Sequence, residues 1–252
     1  MEAYKNINLD DILQLPDTDQ SLLLPGITNN TSLVSDRQGN LYVRRTTKDN
    51  ITPLLESISR EYQIIGFFDK GGSYRIRSML EQFEFIKRCQ ECRLQVVAPV
   101  FCDETRMYLP FVVGEPYQTF ISTKPKSTAK IIRDYLESIS QANSIGLVYG
   151  DRWGPNTIVD REEQLWHIDF DIQLAGSPAR EFEIAQAIYY SLYFAKDKES
   201  ALLECTNSID SPDFAIYDLG LILDFLKGHI RYFQNGNYGG IQTEISRMIN
   251  AA

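Results

Sequence analysis

Three side chains have the types and spacing to do chemistry: Asp151, Asn156 and Asp169. Asp151 and Asn156 stand five apart in YGDRWGPN, a Gly- and Pro-containing loop between a helical stretch and the strand TIV. A second short strand, LWHI, ends in Asp169. Paired as a hairpin, the two strands bring Asp151, Asn156 and Asp169 to one end. Transfer of a phosphoryl group needs cations bridging the phosphates, ligands for those cations and a carboxylate that orients the incoming hydroxyl. Magnesium takes oxygen ligands, commonly one or two carboxylates plus phosphate oxygens. The set therefore reads as one base and two metal ligands presented on loops. A lone Asp-x-x-x-x-Asn is more often turn chemistry, and IDFD at the right distance is what moves the reading toward a site.

These loops need elements to hold them. Residues 7–15 (INLDDILQL) read as a short amphipathic helix, and 31–46 as a hairpin with its turn at DRQGN. A helix is predicted near Pro53–Phe68, then a loose turn at 69–73, then a helix over 75–93 with Met79, Leu80, Phe83, Ile86 and Cys89 spaced for burial. LQVVAPVFC and MYLPFVVG form a second hairpin around Asp103-Glu104-Thr105. After a loop at 124–127, residues 128–145 are helical, 147–175 are short strands and loops, and the chain is mainly helical from Glu181 onward. The expected fold class is α+β: a small antiparallel sheet with one long helix over 1–109, a connection at 110–115 and a larger, mainly helical part over 116–252.

The chain has 252 residues, 43% of them apolar, enough for a sizeable core, with no internal repeat. Its net charge of -9 disfavours nucleic acid and anionic membranes as partners, because both repel it at long range. No apolar run reaches the length of a membrane span, and the first twenty residues are acidic rather than signal-like. Four cysteines without a secretory signal point to a reducing, cytoplasmic setting. Cys89 and Cys92 form a CxxC, but no second pair follows and the only histidines are His167 and His229, so a packing role is expected for it. His167, within a strand, is expected to be a satisfied core histidine.

YGDRWGPN and IDFD resemble the catalytic loop and metal-binding segment of kinase-fold enzymes. They are closest to the aminoglycoside phosphotransferase and choline kinase branch, whose strings run HGDxxxxN and IDFE or IDWE. The branch continues with Gly-x-Pro and a helix opening on Asp-Leu-Ala. Here Gly176-Ser177-Pro178 is followed by Glu183-Ile184-Ala185, two residues late. The resemblance implies a bilobal protein-kinase-like fold and an ATP- and Mg²⁺-dependent transfer of the γ-phosphate to a hydroxyl of a small-molecule acceptor. By it Asp151 is the base, Asn156 and Asp169 hold magnesium, and Asp171 fills the acidic position that replaces glycine in the branch. Arg152 and Trp153 flank the base as its surroundings, with Trp153 read chiefly as a wedge between loops.

The front half carries a looser likeness. GITNNTSLVSDRQGNLYVRR is similar to the stretch that opens the choline and thiamine kinases, which places Gly26, Thr28 and Asn29 at the phosphates. Strand alternation sets Tyr42 and Arg44 on one face and Leu41, Val43 and Arg45 on the other. The resemblance favours Arg44 as the phosphate-binding cation in the place of the usual lysine. Glu81, with Glu84 as the alternative, is its expected helix partner. YLPFVVGEP resembles the family's hinge, so Leu109, Phe111 and Val112 line the adenine slot, and Val112 or a neighbour donates to the base because Pro110 has no N–H. Tyr149 stands where the family has histidine, and the chain is short for the branch. An amine-bearing acceptor is implied by the family and the acidic charge, with Asp210, Asp213, Asp218 and Asp224 as candidate counter-charges. The competing reading is a pseudokinase acting as a nucleotide- or partner-binding module.

Overall fold

The computed structural model describes residues 4–5, 11–14 and 29–233. Strands β1 (Tyr4–Lys5) and β2 (Leu13–Gln14) are the edges of a six-stranded antiparallel sheet. The helix expected over 7–15 is corrected at Leu13 and Gln14, which pair with Ser35 and Val34; its other positions, except Asp11 and Ile12, lie outside the described residues. The sheet's centre is the predicted hairpin, β3 (Asn29–Ser35) against β4 (Leu41–Thr47), with Ser35 opposite Leu41. The Asp36 carboxylate closes its turn by accepting the N–H groups of Gln38 and Asn40, the local bonding that makes Asp a turn residue.

Helix α1 (Thr52–Ile65) follows, close to its expected span. Strand β5 (Ser73–Ile76) falls where periodicity predicts the start of a helix; it pairs instead with a distant strand, and helix α2 runs over Met79–Glu91. Ser78 starts α2 with a reciprocal cap. Its hydroxyl accepts the Glu81 N–H, and its own N–H donates to the Glu81 carboxylate, an arrangement worth about 1 kcal/mol. Strands β6 (Phe101–Cys102) and β7 (Arg106–Pro110) complete the sheet in the order β1-β6-β7-β4-β3-β2.

Beyond β7, strand β8 (Gly114–Pro116) joins β9 (Thr157–Asp160) and β10 (Leu165–His167) in a three-stranded sheet. Between them lie helices α3 (Tyr117–Thr123) and α4 (Thr128–Ser144). The β9–β10 hairpin pairs Thr157 with His167, as its sequence suggested. Strand β11 (Ile172–Ala175) is the partner of β5, and helices α5 (Ala179–Phe194), α6 (Lys198–Ile209) and α7 (Leu219–Phe233) follow.

Helix α5 is buried almost all round, with Phe182, Ile184, Ala185, Ile188 and Leu192 in the main core, and it is the axis of that core. Helix α4 packs on it through Ile131, Tyr135 and Ile139. Helix α1 precedes β5 in sequence, yet it packs against α7. A side chain at Gly228 would start 2.3 Å from the Ile65 carbonyl oxygen, so glycine is what lets α7 close on the end of α1. The exposed Lys70–Asp224 ion pair lies at the same seam. Among the described residues no helix is long and apolar enough to cross a membrane.

Candidate active site

Strand β9 runs straight out of the loop that carries Asp151, and the β9–β10 hairpin returns the chain to Asp169. Three buried groups fix this arrangement. At Gly150 the backbone takes φ +116°, and a Cβ would lie 1.9 Å from the Ile172 carbonyl oxygen, so only glycine fits. The Gly150 N–H donates to the buried Glu183 carboxylate at 2.7 Å, and Asn143 donates to its other oxygen at 2.7 Å. Burial pushes the Glu183 carboxyl up to about 7, against the pull of Arg152. The Glu183-Ile184-Ala185 string noted in the sequence thus anchors the Asp151 loop.

Arg152 is fully buried and faces away from solvent. Its guanidinium donates to the Asp169 carbonyl at 3.1 Å and the Asn156 carbonyl at 3.5 Å, and lies 3.9 Å from Glu183. It ties the two loops together from behind the base and does not line the cleft. Arg77, which no motif singles out, does the same from the other side. It donates to the carbonyls of Phe170 (2.8 Å), Ile172 (3.1 Å), Tyr149 (3.3 Å) and Val148 (3.4 Å), and its guanidinium stacks 4.0 Å from the Phe85 ring centre. His167 bonds Ser138 at 2.8 Å and Thr157 at 3.1 Å, a satisfied core histidine as expected. Cys89 is buried in the core, in line with a packing role, whereas Cys92 is exposed at the end of α2; both are free thiols.

Asp151, Asn156, Asp169 and Asp171 converge on one cleft of about 690 Å³. Asp151 is half-buried, with Gln186 donating to its carboxylate at 3.4 Å. Desolvation raises its carboxyl to about 6; Arg152 opposes the shift and Asp169 adds to it. The Asn156 amide nitrogen donates to the Asp151 carbonyl at 3.0 Å, which makes its carbonyl oxygen the atom able to ligate a cation. Asp169 holds φ +60°, a conformation rare outside glycine. Asp171 is buried, and desolvation with the neighbouring Asp169 raises its carboxyl well above the usual range.

Magnesium takes one or two protein oxygens and leaves the rest to phosphate and water, so Asp169 and Asn156 suit it by type. Among the described residues no three His, Cys, Asp or Glu side chains form a cation cage. A tightly held structural metal therefore has no support here.

One end of the cleft is aliphatic. Val43, Leu109, Val112, Ile158 and Ile168 line it, together with Phe111. Leu109, Phe111 and Val112 thus line this cleft. The Phe111 N–H donates to the Leu41 carbonyl at 2.9 Å.

The cation here is Arg45, not Arg44. Alternation divided the two faces of β4 correctly, but the Tyr42/Arg44 face is taken by a small cluster of Val34, Tyr42, Phe101 and Tyr108. Arg44 donates to Ser32 at 3.0 Å there. Arg45 is buried on the cleft face and forms an ion pair with Asp169; despite desolvation, Asp169 and Asp171 raise its pKa. Glu81 is likewise corrected. It is exposed, spent on the Ser78 cap and on Arg75 at 2.8 Å, and Glu84 is exposed as well. Asn29 is buried at the start of β3 and does not line the cleft, whereas Gly26 and Thr28 lie outside the described residues. Trp153 lines the cleft and also packs on the core, a wall as well as a wedge.

Another part of the cleft lining is aromatic. Tyr62 from α1, Tyr190 and Phe194 from α5, and Tyr232 from α7 line it, with Glu61 of α1 among them. No motif in the sequence marks any of these residues. The candidate counter-charges lie elsewhere: Asp210, Asp213 and Asp218 are exposed, and Asp224 is paired with Lys70. No protein-family model matches this chain, and no curated protein matches it.

Proposed function

We propose that this protein is an ATP- and Mg²⁺-dependent phosphotransferase that moves the γ-phosphate to a hydroxyl of a small, amine-bearing metabolite. The fold belonging to this reading is bilobal and kinase-like, with the sheet over 1–109, the connection at 110–115 and the helical part over 116–252. The observation that carries it is that Asp151, Asn156 and Asp169 line one cleft together with an aliphatic set and an aromatic, acidic set of residues. In this reading Val43, Leu109 and Val112 sandwich the adenine, and Arg45 faces the phosphates as a fixed positive charge. Asn156 and Asp169 hold the magnesium, which supplies charge to the phosphate oxygens when bound. Asp151 accepts the proton of the acceptor hydroxyl as that oxygen attacks, and Gln186 and Glu183 keep it oriented.

A second reading draws on two observations. Arg45 pairs with Asp169 itself, and α2 offers no glutamate to the cleft. A pseudokinase that holds nucleotide without transfer suits that pairing. The two separate cleanly in one experiment. Saturating Mg-ATP, at 100 times its dissociation constant, should stabilise the protein by about 2.7 kcal/mol in thermal unfolding. Asp151→Ala should keep that stabilisation while Mg²⁺-dependent ADP formation falls by at least 100-fold. No stabilisation at millimolar Mg-ATP removes the nucleotide site. Equal ADP formation in wild type and variant removes Asp151 as the base.

A further inference from the structure

A second concavity lies apart from the cleft. It is a groove of about 630 Å³ between the segment that follows α2, one face of α4 and the short turn at Pro212–Phe214, and it shares no lining residue with the cleft. Two of its walls are fixed to one another, because the Ser140 hydroxyl on α4 donates to the Asp213 carbonyl at 2.8 Å. The other serines of α4 in the groove also spend their hydroxyls inside the protein. Ser138 donates to the Tyr135 carbonyl at 2.7 Å, and Ser144 to the Gln141 carbonyl at 2.8 Å. Tyr149 is different. It lines the groove from the chain leading into the Asp151 loop, it is fully buried, and its hydroxyl has no hydrogen-bond partner among the described residues. A buried hydroxyl in that state is unfavourable until a partner is brought to it. Tyr149 also stands where the kinases that this loop resembles have histidine, so the orphan hydroxyl is a feature of this chain.

The charges around the groove do not cancel. Asp134 is paired with Lys130 at 2.8 Å, and Arg133 is spent on Glu204 at 2.6 Å. Glu137 and Asp213 line the groove with no ion pair among the described residues, and so does Arg93 on the segment after α2. Desolvation raises the Glu137 carboxyl, and the charges of Asp134 and Asp213 add to the shift, so these carboxylates lie close enough to repel one another. An arginine fork matches a carboxylate, and a carboxylate matches an ammonium group. Two unpaired anions and one unpaired cation therefore call for a ligand with two positive charges and one negative. Leu94 and Ile216 add apolar surface for methylenes between them. We propose that this groove binds a basic α-amino acid of the lysine type, its carboxylate on Arg93, its two ammonium groups on Glu137 and Asp213, and one of their N–H groups donated to the Tyr149 hydroxyl. The proposal stands apart from the phosphotransferase reading, and the groove and the cleft can be filled together.

The test uses the full chain without nucleotide, titrated with L-lysine in a calorimeter. Cadaverine, which lacks the carboxylate, and L-norleucine, which lacks the side-chain amine, are the controls. Wild type should bind L-lysine at least tenfold more tightly than either. Arg93→Gln should reduce L-lysine to the affinity of cadaverine, and Glu137→Gln should weaken L-lysine by at least tenfold. Tyr149→Phe should weaken L-lysine severalfold while thermal unfolding stays at the wild-type temperature or rises, because the free protein gives that hydroxyl no partner to lose. A merely structural Tyr149 would move stability and leave affinity alone. No binding by wild type at a thousandfold excess of L-lysine over protein overturns the proposal. So does equal affinity for L-lysine and either control, or an unchanged affinity in Arg93→Gln or in Glu137→Gln. None of these outcomes depends on ADP formation, so the failure of this site and the failure of the phosphotransferase reading are separate results.

Discussion

The two ends of the cleft are built from different materials by different means. At the slot end, Val43, Leu109 and Ile158 come from strands of two small sheets, with Val112 in the connection between them, and the backbone ladder that aligns the strands also aligns the walls. At the aromatic end, Glu61, Tyr190 and Tyr232 come from three helices well separated in sequence, and only the packing of α1 and α5 on α7 brings them together. A sheet end is rigid and narrow, with apolar surface on both sides, and suits a flat ring. A helix end is wider and takes its character from side chains, so its selectivity can be changed by single residues. Between them the Asp151 loop belongs to both, and its supports, Gly150, Glu183 and Arg77, hold either end in register with the other.

The strongest perturbation is one that damages both ends. Gly150→Ala forces a methyl group against the Ile172 carbonyl in a backbone conformation that alanine resists. It should cost about 4 kcal/mol or more in urea unfolding, and a loss under about 1 kcal/mol would mean that the loop is not held as described. Arg77→Met comes next. It leaves four carbonyl groups without their common donor and should lower stability by about 3 kcal/mol, read from the unfolding midpoint.

The smaller effects divide the cleft. Arg45→Ala should remove most of the stabilisation by Mg-ATP, whereas Arg44→Ala should preserve it. Equal losses in the two variants would dissolve the distinction between the faces of β4. Glu61→Gln should spare Mg-ATP binding and alter the pH dependence of folding. The folded protein raises the Glu61 carboxyl from its ordinary 4.5 to about 8, so the proton is held more tightly in the folded state. The stability this contributes is complete below about pH 4.5 and is lost as pH rises through about 8. Between pH 5 and 9 wild type should therefore lose more stability than Glu61→Gln, by on the order of 2 kcal/mol in parallel denaturation curves. Superimposable slopes would contradict the placement of Glu61 in a desolvated cavity.

How far each end was legible follows from its construction. Asp151, Asn156, Asp169 and Asp171 lie within about twenty residues, and the hairpin between them has strong local signals, so their convergence could be read directly. The slot was legible because Leu109 to Val112 sit at the end of an evident strand. Arg44 and Arg45 mark the limit of that method. Alternation separates two faces but does not say which is covered by Phe101 and Tyr108, and that cover decided the matter. Strand β5 was missed because four residues leading into a strongly periodic helix carry little signal of their own and their partner is β11, far along the chain. Glu81 looked like a site residue because helical spacing shows the face and hides the cap. Glu61, Tyr190 and Tyr232 had no local signature at all: each is an ordinary residue of a helix until three helices pack.

The most direct measurement is Mg²⁺-dependent ADP formation by the wild-type protein across a panel of hydroxyl-bearing amines and matched neutral alcohols, with Asp151→Ala run in parallel. At least one amine should raise ADP formation tenfold or more above the rate without acceptor, its neutral counterpart should not, and Asp151→Ala should respond to neither. A protein that is stabilised by Mg-ATP but shows no acceleration with any acceptor, or a variant that responds as wild type does, would contradict transfer at the junction of the two ends.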